Sequence, residues 1–524
     1  MARVALLLLC AFWLGAARAG KLLVIPADGS HWMGMKPLVE ELGRKGHEVV
    51  VVIPEVSMSM GTSQHSTTLT FPVPYTKEDM MEAFESTLDH LMNREVSTTL
   101  AKLKNYWDTL GALNWFTMLT SESLLYNKEL MQKLRDYKFD ALLTDPFFPV
   151  GIIVGEHLSL PSIFMQASLP CPLDFIATRN PRPNSYVPHR YTQYGSSMSL
   201  WERTVNLFRA ALEPAGCSRI YANADKVASQ FLQRKTTIVE LASRAAVWLM
   251  RYDFAFEFPV PVMPNMVLIG GLKSGKPKPL PQDLEEFVNG SGKHGFVVFT
   301  LGSMVSKIPE AKAMEFFEAF RQIPQRVLWR YTGPVPANVP KNVKLMKWLP
   351  QNDLLGHPKV RAFITHGGTH GIYEGICNGV PMVMLPLFGD QGDNVQRLVA
   401  RGVAETLAVY DVTSDKLLAA LNKVINDTSY QEKMTELSAV HNDRPIEPLD
   451  LAVFWTEFVM RHKGAQHLRP AAHELNWIQY HSLDVIGLLL AIILTVVVVT
   501  LKCCAFCFRK CLRKTSHKKK NKRE

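Results

Sequence analysis

At 524 residues the chain exceeds what one ordinary core supports, so two domains with appendages are expected. Composition is globular, 47% hydrophobic and 20% charged, with no low-complexity block before the C-terminus. Of the net charge of +10, residues 502–524 carry +9 from ten Lys or Arg and one acid, and Arg3 and Arg18 carry two more. Residues 20–501 therefore sum to about −1, which excludes nucleic acid as a partner and makes the basic character a property of the tail.

Residues 1–19 read as a secretory signal: Arg3, an apolar run from Ala5 to Leu14, and the small-x-small sequence Ala17-Arg18-Ala19. Residues 20–270 then read as an α/β domain. Strands are expected at Leu22–Pro26, His47–Pro54, Phe139–Thr144 and Ser162–Met165, and helical stretches at Met33–Lys45, Lys77–Trp107 and Leu124–Tyr137. The proline-rich run from Phe258 to Pro281 is expected to be an inter-domain linker. Residues 271–445 alternate regularly. Strands fall at Gly295–Leu301, Arg326–Tyr331, Val343–Trp348, Arg361–Thr365 and Pro381–Leu385, with helices between and after them. That alternation predicts βαβ units and a parallel sheet, and two such domains face to face leave a cleft at the C-terminal ends of their strands.

Residues 446–484 read as a connector to a membrane, and the uncharged run Val485–Leu501 as a transmembrane helix, since seventeen residues span roughly 25 Å. The basic block 502–524 behind it is a positive-inside stop-transfer signal, so the lipid bilayer is a partner and the tail is cytosolic. Lys520 and Lys522, five and three places from the end, resemble the dilysine retrieval signal of the endoplasmic reticulum. Cys171, Cys217 and Cys377 form no disulfide framework, so a large core is expected to carry stability. Asn289-Gly290-Ser291 and Asn426-Asp427-Thr428 are glycosylation sequons, and Cys503, Cys504, Cys507 and Cys511 are juxtamembrane.

The segment Trp348–Gln391 carries the chemistry: WLPQNDLLGHPKVRAFITHGGTHGIYEGICNGVPMVMLPLFGDQ. It runs strand, His-Gly-Gly turn, helix, strand, acidic turn. Gly367 and Gly368 let a backbone approach a ligand, and the next helix N-terminus offers free N–H groups and a positive dipole end to a diphosphate. A zinc site at His366, His370 and Glu374 is disfavoured by the glycines between the histidines, and a dinucleotide-binding dehydrogenase by the lack of a full G-x-G-x-x-G after a strand. This segment resembles the signature of UDP-glycosyltransferases of the two-domain GT-B fold. Gly295–Ser306, Phe454–Gly464, His473–Gly487 and the ending resemble vertebrate UDP-glucuronosyltransferases in particular. The resemblance implies two Rossmann-like domains facing across a cleft, with UDP-glucuronate as co-substrate and no further cofactor or metal. Trp348 and Gln351 would flank uridine; His366, Gly368 and Ser303 would lie at the diphosphate. Glu374 would hold ribose, and Asp390 and Gln391 the sugar. It also leaves room for homo- or hetero-oligomers with related transferases.

Glycosyl transfer needs a base for the acceptor hydroxyl, and His31, on the turn after the first strand, suits that task. Asp145, at an equivalent strand end, would orient it, with Asp28 the nearer competitor in sequence. In the family the matching His and Asp are the catalytic pair, the reaction is an inverting in-line displacement, and an Arg at the place of Arg251 meets the donor carboxylate. The acceptor side, expected between residues 50 and 210, is rich in Met, Phe and Leu and suits small lipophilic alcohols or phenols. Transfer from UDP-glucose or UDP-galactose to lipid, and a non-catalytic UDP-sugar sensor, stay open as alternatives.

Overall fold

The computed structural model describes residues 19–92, 115–272 and 275–520. The leader expected at residues 1–19 falls, up to residue 18, outside them. So do the 93–107 part of the predicted helical stretch and the last four residues of the dilysine pattern.

Two parallel sheets organise residues 19–468. The first holds seven strands in the order β3-β2-β1-β4-β5-β6-β7: β1 Lys21–Ile25, β2 Glu48–Pro54, β3 Thr67–Phe71, β4 Ala141–Thr144, β5 Ser162–Gln166, β6 Val247–Met250 and β7 Met266–Leu268. The second holds six in the order β10-β9-β8-β11-β12-β13: β8 Phe296–Thr300, β9 Arg326–Arg330, β10 Val343–Met346, β11 Val360–Thr365, β12 Met382–Met384 and β13 Ala404–Thr406. Their central strands are buried end to end, LLVI in β1 and FVVFT in β8, because helices cover both faces of a parallel sheet.

Three expectations need correction. The proline-rich run read as a linker contains β7, paired with β6 at Trp248–Met266 and Leu249–Val267, so the first sheet extends through it. The connector read at 446–484 opens with a helix, Pro448–His462, whose Ala452, Val453, Val459 and Met460 pack into the core of the first sheet. Glu457 on that helix pairs with Lys45 (2.7 Å) and His47 (3.2 Å). Finally, Cys171 and Cys217 are disulfide-bonded, Cα to Cα 5.4 Å. The bond ties the segment after β5 to a 32-residue helix, Leu200–Phe231.

Residues 469–520 form a separate unit. Its helix Leu483–Lys520 contains a fully exposed apolar stretch, Leu483–Leu512, long enough to cross a membrane, and continues into the basic tail.

Candidate functional site

The first sheet brings its catalytic candidates together at the C-terminal ends of β1 and β4. Thr144 Oγ1 donates to the Ile25 carbonyl (2.7 Å), pinning the two strand ends. Gly29, at φ +68°, turns the chain into the helix Ser30–Arg44, and His31 falls in its first turn. His31 Nδ1 lies 2.7 Å from Asp145 Oδ2. Asp145 is 1% exposed; its other oxygen accepts from the Phe147 N–H (2.9 Å), and the Phe147 ring packs 4.6 Å from the imidazole. With Nδ1–H given to the carboxylate, Nε2 presents a lone pair, the arrangement of an oriented general base. Asp28 is used otherwise. It accepts from the N–H groups of Gly29 (2.6 Å) and Met58 (2.6 Å) and from Ser59 Oγ (2.8 Å), holding the 57–60 loop.

The second sheet supplies the cradle. After β11 the chain passes through His366, Gly367 at φ +88° and Gly368, the N-cap of the helix Thr369–Cys377, which has no side-chain cap of its own. That leaves first-turn N–H groups for an anion. The His366 ring is wedged between two glycines: a Cβ on Gly302 would stand 2.6 Å from it and one on Gly368 2.5 Å. Burial pushes its pKa down to about 4, so the ring is neutral, and Nδ1 is buried with no protein partner. An orphaned polar atom at the mouth of an uncapped helix fits a ligand that completes it.

Around this cradle, Arg330 braces the turn after β8 through the carbonyls of Gly302 (2.6 Å) and Ser303 (3.1 Å). Its guanidinium lies 5.3 Å from the ring centre of Trp348, which is 57% exposed and open to a planar partner. Gln351 donates to the buried Glu374 carboxylate. Asp390 accepts from Asn394 Nδ2 (2.8 Å), and burial raises its pKa. Asn394 also donates to the Gly367 carbonyl (3.0 Å), tying the acidic turn to the cradle. Gln391 turns its side-chain oxygen inward onto the N–H groups of Leu387 (2.7 Å) and Phe388 (3.1 Å), so its amide nitrogen is the part it can offer a ligand.

Arg251, one residue past β6, joins the two sheets. Its guanidinium lies flat on Gly34, where a Cβ would stand 2.2 Å from Cζ, and it bonds His370 of the cradle helix. Burial lowers its pKa to about 10, with Asp145 and Asp390 opposing, and it stays charged at neutral pH. Sequence reasoning missed His370 in this role, because its partner lies 119 residues away. The three residues weighed as zinc ligands diverge: His366 to Gly302, His370 to Arg251, Glu374 to Gln351. A cavity opens beside Asp390, walled by Phe175, Tyr191 and Tyr194 of the first domain and by Arg397 of the second. Asp393 closes one side by accepting from the N–H groups of Tyr191 (2.5 Å) and Gln193 (2.8 Å).

Residues 20–519 match the family described as "UDP-glucoronosyl and UDP-glucosyl transferase". The chain is 52% identical over 493 residues to rat UDP-glucuronosyltransferase 1A3, covering 93% of this chain and 91% of the rat protein. It is 51% identical over 488 residues to human UDP-glucuronosyltransferase 1A1, with the same coverage of 93% and 91%. Two solved structures share the fold at low identity. The glycotransferase of kitacinnamycin matches with a TM-score of 0.54 at 17% identity, over 85% of this chain and 100% of that one. The calicheamicin glycosyltransferase CalG4 matches with a TM-score of 0.55 at 16% identity, over 85% and 98%. Both are GT-B glycosyltransferases, and the two facing parallel sheets described above are that fold.

Proposed function

The chain belongs to the UDP-glucuronosyl and UDP-glucosyl transferase family, and we propose that it glucuronidates small lipophilic acceptors with His31 as base, Asp145 as its orienting carboxylate and Arg251 as the reader of the sugar carboxylate. Its reaction is glucuronosyl transfer from the co-substrate UDP-glucuronate to an acceptor. The observation that carries the proposed mechanism is the 2.7 Å contact between His31 and Asp145, at the strand ends that face the glycine-lined cradle.

His31 Nε2 takes the proton as the acceptor hydroxyl attacks the anomeric carbon. The bond to UDP breaks on the opposite face, and an α-linked donor gives a β-linked product. Asp145 stabilises the imidazolium as it forms. The negative charge growing on UDP meets the open N-terminus of the Thr369–Cys377 helix and the neutral His366, whose orphaned Nδ1 gains its partner. Trp348 offers a face to uracil, Gln351 and Glu374 hydrogen bonds to ribose, Ser303 a contact at the diphosphate, and Asp390 and Gln391 hydrogen bonds to the sugar hydroxyls. The acceptor enters beside the cavity next to Asp390.

The helix Leu483–Leu512 suits a single membrane anchor. We place the body in the lumen of the endoplasmic reticulum and the tail in the cytosol. The Cys171–Cys217 disulfide supports an oxidising compartment.

His31→Ala is expected to lose 10²–10⁴-fold in kcat, the usual share of a general base, while UDP affinity holds within threefold. A variant with near-normal turnover reassigns the base. A wild type that binds UDP-glucuronate without turnover against a broad phenol and alcohol panel makes the chain a sensor. Protease treatment of sealed microsomes should remove only a tail epitope, and digestion of the body without detergent refutes the topology.

A further inference from the structure

The cavity beside Asp390 is lined by a polar residue that the proposed transfer does not use. Gln166 is the last residue of β5 and forms part of the cavity wall. Its amide is held through the nitrogen alone. Nε2 donates to Asp174 Oδ2 (2.8 Å) and makes a longer contact to Met250 Sδ (3.7 Å). Asp174, in the short helix Leu173–Thr178, is fully buried, and the same carboxylate oxygen accepts from Arg190 Nη2 (2.8 Å). A carboxylate can only accept, so the amide nitrogen must face it and the amide oxygen must point away. Gln166 is 1% exposed, and its Oε1 is buried with no donor from the protein.

A buried oxygen left unpaired costs stability, so an orphan on a cavity wall points to a ligand that completes it. The other carboxylates and amides of the same wall are already used. Glu257 takes Arg397, Asp393 takes the N–H groups of Tyr191 (2.5 Å) and Gln193 (2.8 Å), and Asn394 Oδ1 takes Arg397 Nη1 (3.0 Å). Asp390 accepts from Asn394 (2.8 Å) and is assigned above to the sugar. Asp174 Oδ1 and the Tyr221 hydroxyl are also unpaired, but neither residue lines the cavity. Arg182 Nε is unpaired on the wall, but it can only donate. His189 Nδ1 faces Glu213 (2.6 Å).

The distance from the base follows from the sheet. The strands run β1-β4-β5, with His31 after β1, Asp145 after β4 and Gln166 ending β5. Neighbouring strands stand about 4.8 Å apart, so Gln166 lies roughly 10 Å across the sheet from the strand end that carries His31. Asp390, on the same cavity, is close enough to His31 for their charges to interact. We propose that Gln166 Oε1 accepts a hydrogen bond from a second hydroxyl of the acceptor, roughly 10 Å from the one conjugated, so that elongated diphenols and diols are the preferred acceptor class. The near hydroxyl gives its proton to His31; the far one keeps its own and shares it with the amide oxygen. Asp174 and Arg190 act as positioning residues that fix which end of the amide meets the acceptor. The inference rests on the glucuronosyl transfer proposed above and names the acceptor within it.

The probes are three rod-shaped phenols offered to the full-length chain in detergent with UDP-glucuronate: 4,4′-dihydroxybiphenyl, its monomethyl ether and 4-hydroxybiphenyl. The ether keeps the far oxygen but loses its proton, so it can accept from a donor such as Arg182 and cannot donate to Gln166. Products are resolved by mass spectrometry, and kcat/KM is taken per reactive hydroxyl. In wild type the diphenol is expected to exceed both others by about tenfold, the worth of one hydrogen bond to a buried neutral partner, with the difference in KM rather than kcat. Gln166→Met keeps the volume and removes the oxygen, and it should bring the three acceptors within threefold of one another. Equal use of diphenol and ether by wild type overturns the proposal, and so does a diphenol preference that survives in folded Gln166→Met. The wild-type comparison decides even if the variant fails to fold. A chain that glucuronidates other phenols but none of these three refutes this inference alone; a chain that glucuronidates no acceptor refutes the functional reading beneath it.

Discussion

Replacing Arg251 by Leu separates the sugar carboxylate from everything else the donor offers. The guanidinium is 7% exposed, and burial has lowered its pKa to about 10, a cost of roughly 3 kcal/mol. A carboxylate docked on it recovers that cost through a bidentate pair. In the Leu variant the carboxylate of UDP-glucuronate enters the cleft with no partner, a loss on the order of 2–4 kcal/mol. UDP-glucose suffers no such loss. Both donors also feel the broken bond to His370, so the informative quantity is the ratio of kcat/KM for the two sugars. That ratio should fall roughly 30- to 1000-fold, since every 1.4 kcal/mol is about tenfold. The assay is product formation on a fluorescent phenol, resolved by mass spectrometry, at donor concentrations well below KM. Gly34→Ala is the companion variant: its Cβ would stand 2.2 Å from Cζ, displacing the guanidinium without removing it, and it should move the ratio in the same direction. A ratio within threefold of wild type in Arg251→Leu, with UDP affinity intact, refutes the assignment. A wild type that itself prefers UDP-glucose removes Arg251 as a glucuronate reader.

Three further outcomes are expected. Asp145→Asn should cost at least 100-fold in kcat with the UDP-glucuronate KM within threefold, measured in steady state, because the amide no longer stabilises an imidazolium at His31. His366 has a folded pKa of about 4 against an ordinary 6.5, so its contribution to stability is complete above pH 6.5 and drains as pH falls towards 4. At pH 5 the loss is about 2 kcal/mol, and His366→Asn should flatten the melting-temperature profile between pH 7 and 5 relative to wild type. The Cys171–Cys217 bond closes a loop of 46 residues. A loop of that size stabilises by up to about 4 kcal/mol, so a reductant should lower the melting temperature of wild type and leave that of Cys217→Ala unchanged.

The second sheet was readable in advance because its central strands are unbroken apolar runs separated by amphipathic helices. The errors cluster where that signal is absent. β3, TTLTF, is a half-exposed edge strand, and β7 is three residues long among prolines. The helix Leu200–Phe231 leaves Leu200, Trp201, Leu207, Phe208 and Leu212 exposed and carries Pro214 inside, so its apolar residues do not mark a core face. At the site, His31 and Asp145 were legible as polar residues at strand ends, where parallel sheets gather chemistry. Three features were not: the Arg251–His370 contact, the inward turn of the Gln391 oxygen and the Cys171–Cys217 bond. Each depends on three-dimensional packing that no local pattern encodes.

The return of the helix Pro448–His462 to the first sheet bears on how the protein is made. The half built on the first sheet is assembled from two pieces of chain separated by the whole of the half built on the second sheet. When β7 leaves the ribosome, the face later covered by Ala452, Val453, Val459 and Met460 has nothing on it. At synthesis rates of roughly 5–20 residues per second, the missing helix follows some 10–40 seconds later. Through that interval the first half presents a naked apolar patch to its surroundings and depends on chaperones to stay unaggregated. The same reasoning says that a fragment ending near residue 280 will be sticky and poorly soluble however well its own sheet forms. A fragment of residues 276–445 lacks no piece of its sheet and is the half to express alone.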